Sequence, residues 1–389
     1  MGNIGYRRNR IWKLNQPCEH MKTKRNSLFI ALALLVGVHS ALAQNPVVTS
    51  FGGNGVLSCS NLAQGSVASV EWASTPSGPW QSDWTSLAAV PTDTNGSFTA
   101  SVPMFYRVRG VARGALIPAG TFTMGDNLDN ETDAVPAVAV NVSGFYMDVN
   151  LVTYSQWQSV FNWAINNGYS FTQAGLGKAA DHPVQTVGWY DTVKWCNARS
   201  QLAGLAPVYF TDMQLTQVYT TGQIEPYVNW TNTGYRLPTE AEWEKAARGG
   251  VNGQRFPWGN TLSQSQANYR SFTNQVYDLG PFGFNAAFTN GVQPFTSPVG
   301  SFAANGYGLT DMSGNVAEWC WDWYAPPPFP AGSPYLGGSD PRGPTNGTTR
   351  CQRNGSWTGQ ASFLRCADRF GLVPTTANFI GGFRCVRRQ

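Results

Sequence analysis

The chain is poor in charge and almost bare of histidine. Charged residues make up only 12% of its 389 positions, against 42 glycines and 24 prolines, a balance that excludes a coiled coil and describes a loop-rich globular chain. It is not short of aromatics: 15 Trp, 15 Tyr and 21 Phe supply a large core and exclude the disordered class. Two of the three histidines, His20 and His39, fall within the first 43 residues, so His182 stands alone in the rest. A three-histidine metal site is thereby excluded there, and a Ser-His-Asp or Cys-His engine could be built only on His182. No two cysteines have zinc-knuckle spacing.

The net charge of +4 belongs to the N-terminus. Setting aside the seven basic residues and one acid of the first 43 positions leaves 19 basic against 21 acidic residues, so no basic field remains to bind nucleic acid. Those 43 residues have the pattern of a secretory leader: Lys22, Lys24 and Arg25, an apolar run over 28–38, and Ala41-Leu42-Ala43 before Gln44. The apolar run is short for a transmembrane helix, so no membrane span is expected after cleavage. Met21 opens a conventional leader by itself. Export, to the periplasm or outside the cell, makes the cysteines readable as disulfides, and an even number remains: Cys59, Cys196, Cys320, Cys351, Cys366 and Cys385.

Over 44–113 short β-like runs (Val67–Trp72, 98–102 and Tyr106–Val111) alternate with turn clusters, the pattern of a small β-sandwich-like module. It carries no ionisable cluster, and an accessory role is expected. A second unit over 114–389 opens with a strand and turn and has few helices. Thr153 is placed to cap a helix over 154–166, and Asp191 to cap one through Val193, Cys196 and Ala198. Thr239-Glu240-Ala241-Glu242 is a capping box, followed by Trp243, Ala246 and Ala247 at core spacing and stopped by Gly249-Gly250. Arg236 is expected to pair with Glu240 or Glu244. The fold class is α+β, with function on loops.

Several strings carry a resemblance. They are Ile117-Pro118-Ala119-Gly120 with Met124-Gly125; His182-Pro183-Val184; Gly234-Tyr235-Arg236-Leu237-Pro238-Thr239-Glu240-Ala241-Glu242-Trp243-Glu244; and Phe256-Pro257-Trp258-Gly259. Later come Gly308-Leu309, Asp311-Met312, Gly314-Asn315-Val316, Glu318-Trp319, Gly355-Ser356-Trp357 and Gly382-Phe383-Arg384. In order and spacing over 115–388 they resemble the formylglycine-generating enzyme, or sulfatase-modifying factor, family, whose fold is a loop-rich variant of the C-type-lectin fold. Read from the residues alone, most of these strings are scaffold, and Trp243, Trp258, Trp319 and Trp357 are expected in the core.

The resemblance implies an oxidase that converts a sulfatase cysteine to formylglycine with oxygen and copper(I), held by two cysteine thiolates after a Gly-Gly-Ser-aromatic string. Soft thiolate suits that metal. Here the stretch reads Gly355-Ser356-Trp357-Thr358-Gly359-Gln360-Ala361, shorter than in active members, with Thr358, Gly359 and Ala361 where thiols belong. Ala317 replaces an aromatic of the family motif. Copper is therefore not expected, and Ser356 without a base is no nucleophile. The histidine triad of the iron-dependent sulfoxide synthases, which share the fold, cannot be supplied by His182.

The resemblance also implies structural calcium: at one position Asp311, Gly314, Val316 and Glu318, at a second Asn268, Tyr269, Asn290 and Val292, where the family carries Asp at the place of Asn290. Oxygen-only ligation from an irregular loop is calcium's preference. Family half-cystines match Cys196 and Cys385, implying a bridge between them, and a second bridge, Cys351 to Cys366, is expected from their places on neighbouring antiparallel strands. Two function classes remain open. One is an exported, calcium-stabilised, non-catalytic binding or scaffold protein for a protein or glycan ligand, sulfatases among them. The other is the oxidase with displaced cysteines.

Overall fold

The computed structural model describes residues 47–389 apart from 52–55, 63–66, 73–89, 92–93, 102–105, 112–113, 130–131 and 133. The leader expected at 1–43 lies outside the described residues. Ahead of Gly114, strands Val47–Phe51, Val56–Ser60 and Phe98–Ser101 form one antiparallel sheet, and Val90–Pro91, Val67–Trp72 and Tyr106–Val111 form another. In the second sheet Val67–Trp72 and Tyr106–Val111 run antiparallel, with Val70 in register with Val108 and Trp72 with Tyr106.

After Gly114 three helices are described. α1 (Tyr154–Ile165) begins at Thr153, whose hydroxyl accepts from the Gln156 amide while the Gln156 side chain accepts from Thr153 N–H. This reciprocal cap satisfies two orphan donors of the first turn. α2 (Trp189–Leu202) starts three residues earlier than Asp191 would set it, with Gly188 as its N-cap. Asp191 cannot serve as the cap because both of its oxygens accept amides of another segment, Thr172 and Gln173, each at 2.9 Å. α3 (Glu240–Ala247) has the capping box read from Thr239 and Glu242, and the chain leaves it through Gly249 and Gly250 at φ +59° and +91°.

A four-stranded sheet runs in the order Phe370–Leu372, Arg350–Arg353, Ala317–Trp323, Gly381–Gly382, the last pair parallel. Together with the small helix content this is the expected α+β, loop-rich class. α1 and α2 pack through Trp157 and Trp195, whose rings stack with centroids 5.7 Å apart, and Phe383 meets both edge-on. Buried indole N–H groups then tie helix to sheet: Trp189 Nε1 donates to the Cys320 carbonyl and Trp319 Nε1 to that of Val187. Of the four tryptophans expected in the core, Trp243, Trp319 and Trp357 are buried; Trp258 is only partly so, donating to the Thr261 carbonyl.

The ion pairs around α3 differ from the expected ones. Arg236 binds Glu242 with two bonds of 2.6 Å, because the capping box turns Glu242 back toward the chain entering the helix. Glu240 and Glu244, both fully buried, face the sheet instead. Glu240 takes Arg369 (2.5 and 2.7 Å), and Glu244 takes Arg248 (2.6 and 2.9 Å) and the Gly125 amide (2.7 Å). Arg353, also fully buried, joins them, donating to Glu240 at 3.4 Å and to Glu244. Burial would raise the Glu240 carboxyl, but Arg369 and Arg353 overcome it and hold the group below its ordinary value. Arg353→Met is expected to lower the unfolding free energy by about 1–3 kcal/mol, since it leaves Glu240 and Glu244 with one guanidinium each and the Cys366 and Ala367 carbonyls without their donor; a urea melt against wild type measures the loss.

Candidate functional site

The strand Arg350–Arg353 ends in two left-handed residues, Asn354 at φ +86° and Gly355 at φ +61°. Only glycine fits the second, because a Cβ there would stand 2.7 Å from the Phe363 carbonyl oxygen. The turn drives Trp357 inward against Phe284, Phe295 and Phe379, with ring centroids 5.4 to 5.8 Å away. Ser356 is left beside Thr358, hydroxyl to hydroxyl at 3.0 Å. A hydroxyl facing a hydroxyl has no base to remove its proton. Residues 358–361 complete the turn without a thiol, and the 3-10 turn Ala361–Leu364 follows.

The cysteines lie elsewhere, and all six in the described residues are buried. Cys196 on α2 faces Cys385, sulfur to sulfur at 3.6 Å. Cys320 and Cys351 face each other from neighbouring strands, as the Trp319–Gln352 register requires. The expected neighbourhood of Cys351 and Cys366 is therefore corrected: Cys366 follows the 3-10 turn and belongs to no strand, and its amide donates to the Arg255 carbonyl. Burial pushes the Cys366 thiol up to about 12, and it also raises those of Cys196, Cys320 and Cys351. A thiol so shifted holds its proton at neutral pH and is a poor nucleophile and metal ligand.

His182 is buried, with Nδ1 2.9 Å from the Thr296 hydroxyl, and burial lowers its pKa, so it is a neutral packing residue. A cavity of about 380 Å³ opens next to the Trp357 cluster, lined among others by Gln185, Thr186, Pro294, Asn378 and Phe379. Phe379 connects the two, since its carbonyl accepts from Trp357 Nε1 at 3.4 Å. Thr186 holds φ +60°, an uncommon conformation for a β-branched residue, with its amide on the Asn378 carbonyl at 2.9 Å. These lining residues have no signature in the sequence, because with Leu176 they come from four separate segments of the chain.

At the first position implied for calcium, Asp311 has φ +54° and is buried, Oδ2 accepting from the Gly300 amide at 2.7 Å while Oδ1 has no hydrogen-bond partner. The other three groups are engaged by the protein. Asn354 Nδ2 donates to the carbonyls of Gly314 (2.7 Å) and Val316 (2.8 Å), and Arg384 holds both oxygens of Glu318 (2.8 and 3.0 Å). With their lone pairs so directed, these residues do not offer a calcium shell. At the second position Asn268 is buried with Nδ2 on the Phe295 carbonyl, and Tyr269 is buried too. Asn290 and Val292 stand on an exposed turn, Val292 at 84% exposure.

Comparison with known proteins matches residues 104–389 to the family described as the sulfatase-modifying factor enzyme 1-like domain. The chaperone protein LppX of Paenibacillus barcinonensis is 34% identical over 262 residues, 64% of this chain and 82% of that protein. The formylglycine-generating enzyme of Mus musculus is 33% identical over 285 residues, 69% of this chain and 73% of that one. Among solved structures, Treponema denticola variable protein 1 superposes with a TM-score of 0.54 at 26% identity, covering 75% of this chain and 98% of that chain.

A bond between Cys196 and Cys385 would close a loop of about 190 residues and contribute on the order of 5 kcal/mol by chain entropy, before any strain is subtracted. Non-reducing peptide mapping of the purified protein is expected to recover these two peptides joined, and Cys320 joined to Cys351. Alkylation of Cys196 without prior reduction would contradict the bridge.

Proposed function

The chain belongs to the sulfatase-modifying factor enzyme 1-like family, and on that premise we propose that it is an exported member that binds a partner and does not oxidise one. The observation that carries this reading is the absence, among the described residues, of a solvent-reachable thiol pair. Thr358, Gly359 and Ala361 fill the turn beside Ser356, and every described cysteine is buried elsewhere, Cys196 and Cys320 each with a second cysteine beside it. Copper(I) needs two thiolates free of each other and open to the metal. Paired thiols in an oxidising compartment form disulfides instead.

The binding face is the cavity at Thr186, Asn378 and Phe379. Three features support the assignment: it adjoins the Trp357 turn, it contains a strained Thr186, and its lining offers amides, a hydroxyl and an aromatic ring without a charged side chain. Such a surface suits a neutral ligand, a glycan or an uncharged peptide segment. A sulfatase is one candidate partner, given the relatives named as formylglycine-generating enzymes, and the relative named as a chaperone fits binding without turnover. Localisation outside the cytoplasm follows from the leader pattern at 22–43 and is part of the same proposal.

The purified exported protein, incubated aerobically with copper(I) and a Cys-x-Pro-x-Arg peptide, is expected to yield no aldehyde by mass spectrometry. Multiple turnovers that disappear in Cys366→Ser would restore the oxidase. In parallel, Phe379→Ala is expected to weaken retention on a glycan array or on sulfatase resin at least tenfold while leaving Tm within a degree or two of wild type.

A further inference from the structure

The loop 311–318 is held by the protein's own donors at the place where the family resemblance puts a divalent cation. Gly314 and Val316 point their carbonyls at one spot, and Asn354 Nδ2 occupies it, 2.7 and 2.8 Å from the two oxygens. A calcium ion would need those oxygens at 2.3–2.6 Å from its own centre, so nitrogen and ion exclude each other. Positive charge comes from Arg384, which binds both oxygens of Glu318 and the carbonyls of Thr310 and Asp311. Asn354 itself stands at the first glycine of the Gly-Gly-Ser-aromatic string, at φ +86°, a conformation that costs an asparagine more than a glycine.

We propose that the Asn354 side chain replaces the cation of this loop, its amide donating to the two carbonyls that a bound divalent ion would otherwise draw together. The orientation of the amide follows from its surroundings. Turned the other way, Asn354 Oδ1 would meet two carbonyl oxygens with no proton among the three, an arrangement tolerable only around a metal. With Nδ2 inward, two hydrogen bonds replace two metal bonds, and Oδ1 is left buried without a partner. Gly314, whose added Cβ would lie 2.4 Å from the Asn268 carbonyl oxygen, keeps the loop pressed on its neighbour and the two carbonyls aimed at Asn354.

The two orientations predict opposite behaviour, which makes the test direct. Tm is measured in EGTA and in calcium for the full chain as wild type, Asp311→Asn, Asn354→Gly and Asn354→Gly with Asp311→Asn. If the amide replaces the ion, Asn354→Gly melts below wild type in EGTA, and calcium raises its Tm by several degrees more than it raises that of wild type. Adding Asp311→Asn reduces that gain, because it removes the charge of the free carboxylate oxygen in the loop and leaves a neutral carbonyl in its place. In the wild-type background Asp311→Asn leaves the calcium response unchanged, so any ion held at Asn268 and Tyr269 does not confuse the reading. The proposal is overturned if Asn354→Gly responds to calcium no more than wild type, or if Asp311→Asn removes a calcium response from wild type. Should Asn354→Gly fail to fold, Asn354→Asp gives the same decision by equilibrium dialysis with calcium: an isosteric carboxylate against two carbonyls binds one more ion than wild type, and equal binding overturns the proposal.

Discussion

Glu240 and Glu244 project from one face of α3 into the interior, and three guanidinium groups follow them there. Placing five charged groups in the interior costs several kcal/mol for each ion, and the cost is offset only if every lone pair meets a proton in good geometry. The arrangement comes close to that. Arg353 divides its donors between the two carboxylates and the carbonyls of Cys366 and Ala367, while Arg369 spans both oxygens of Glu240. Through those bonds α3, the strand Arg350–Arg353, the 366–369 segment and the turn at Gly125 are held in one register. Without the network a chain so rich in glycine and proline would have little to choose one loop arrangement over its neighbours.

That network fixes the frame that carries the turn 354–361. The turn 354–361 begins and ends at residues fixed from behind, Arg353 by the carboxylates and Cys366 by the Arg255 carbonyl. Its interior carries Thr358, Gly359 and Ala361 and no thiol. The cysteines of this part of the chain lie in the packed interior instead, Cys196 and Cys385 in one cluster and Cys320, Cys351 and Cys366 in another. Burial raises the thiols of Cys196, Cys320, Cys351 and Cys366, and proximity favours pairing of Cys196 with Cys385 and of Cys320 with Cys351. Reactivity and burial compete for the same residue type, and here burial has all six of the cysteines described.

Exchange of an ion for an amide at Asn354 belongs to the same pattern. A carbonyl pair needs positive partial charge, and an N–H group supplies it without the entropy and selectivity problems of capturing calcium. The position is available because the preceding strand ends in a left-handed residue, a backbone state that asparagine tolerates better than most. Fold and binding face are thus separable: the first rests on buried charge and tryptophan packing, the second on loops that come together at the Trp357 cluster.

The sequence by itself determined what depends on neighbours along the chain. The caps at Thr153 and Thr239 are three-residue patterns, the alternation over Val67–Trp72 and Tyr106–Val111 is a two-residue period, and the missing thiols at 358–361 are a matter of identity. The tertiary structure decided what depends on residues far apart. Asp191 loses its cap to amides 18 and 19 residues away, and Arg236 chooses Glu242 over Glu240 because the latter is claimed by Arg369 across 129 residues. Cys351 meets Cys320 and not Cys366, and Asn354 finds carbonyls 38 and 40 positions away. The reason is one of range: caps and strand alternation are set within a turn or two of backbone, whereas each buried polar group must take whatever partner the packed fold brings within about 3 Å.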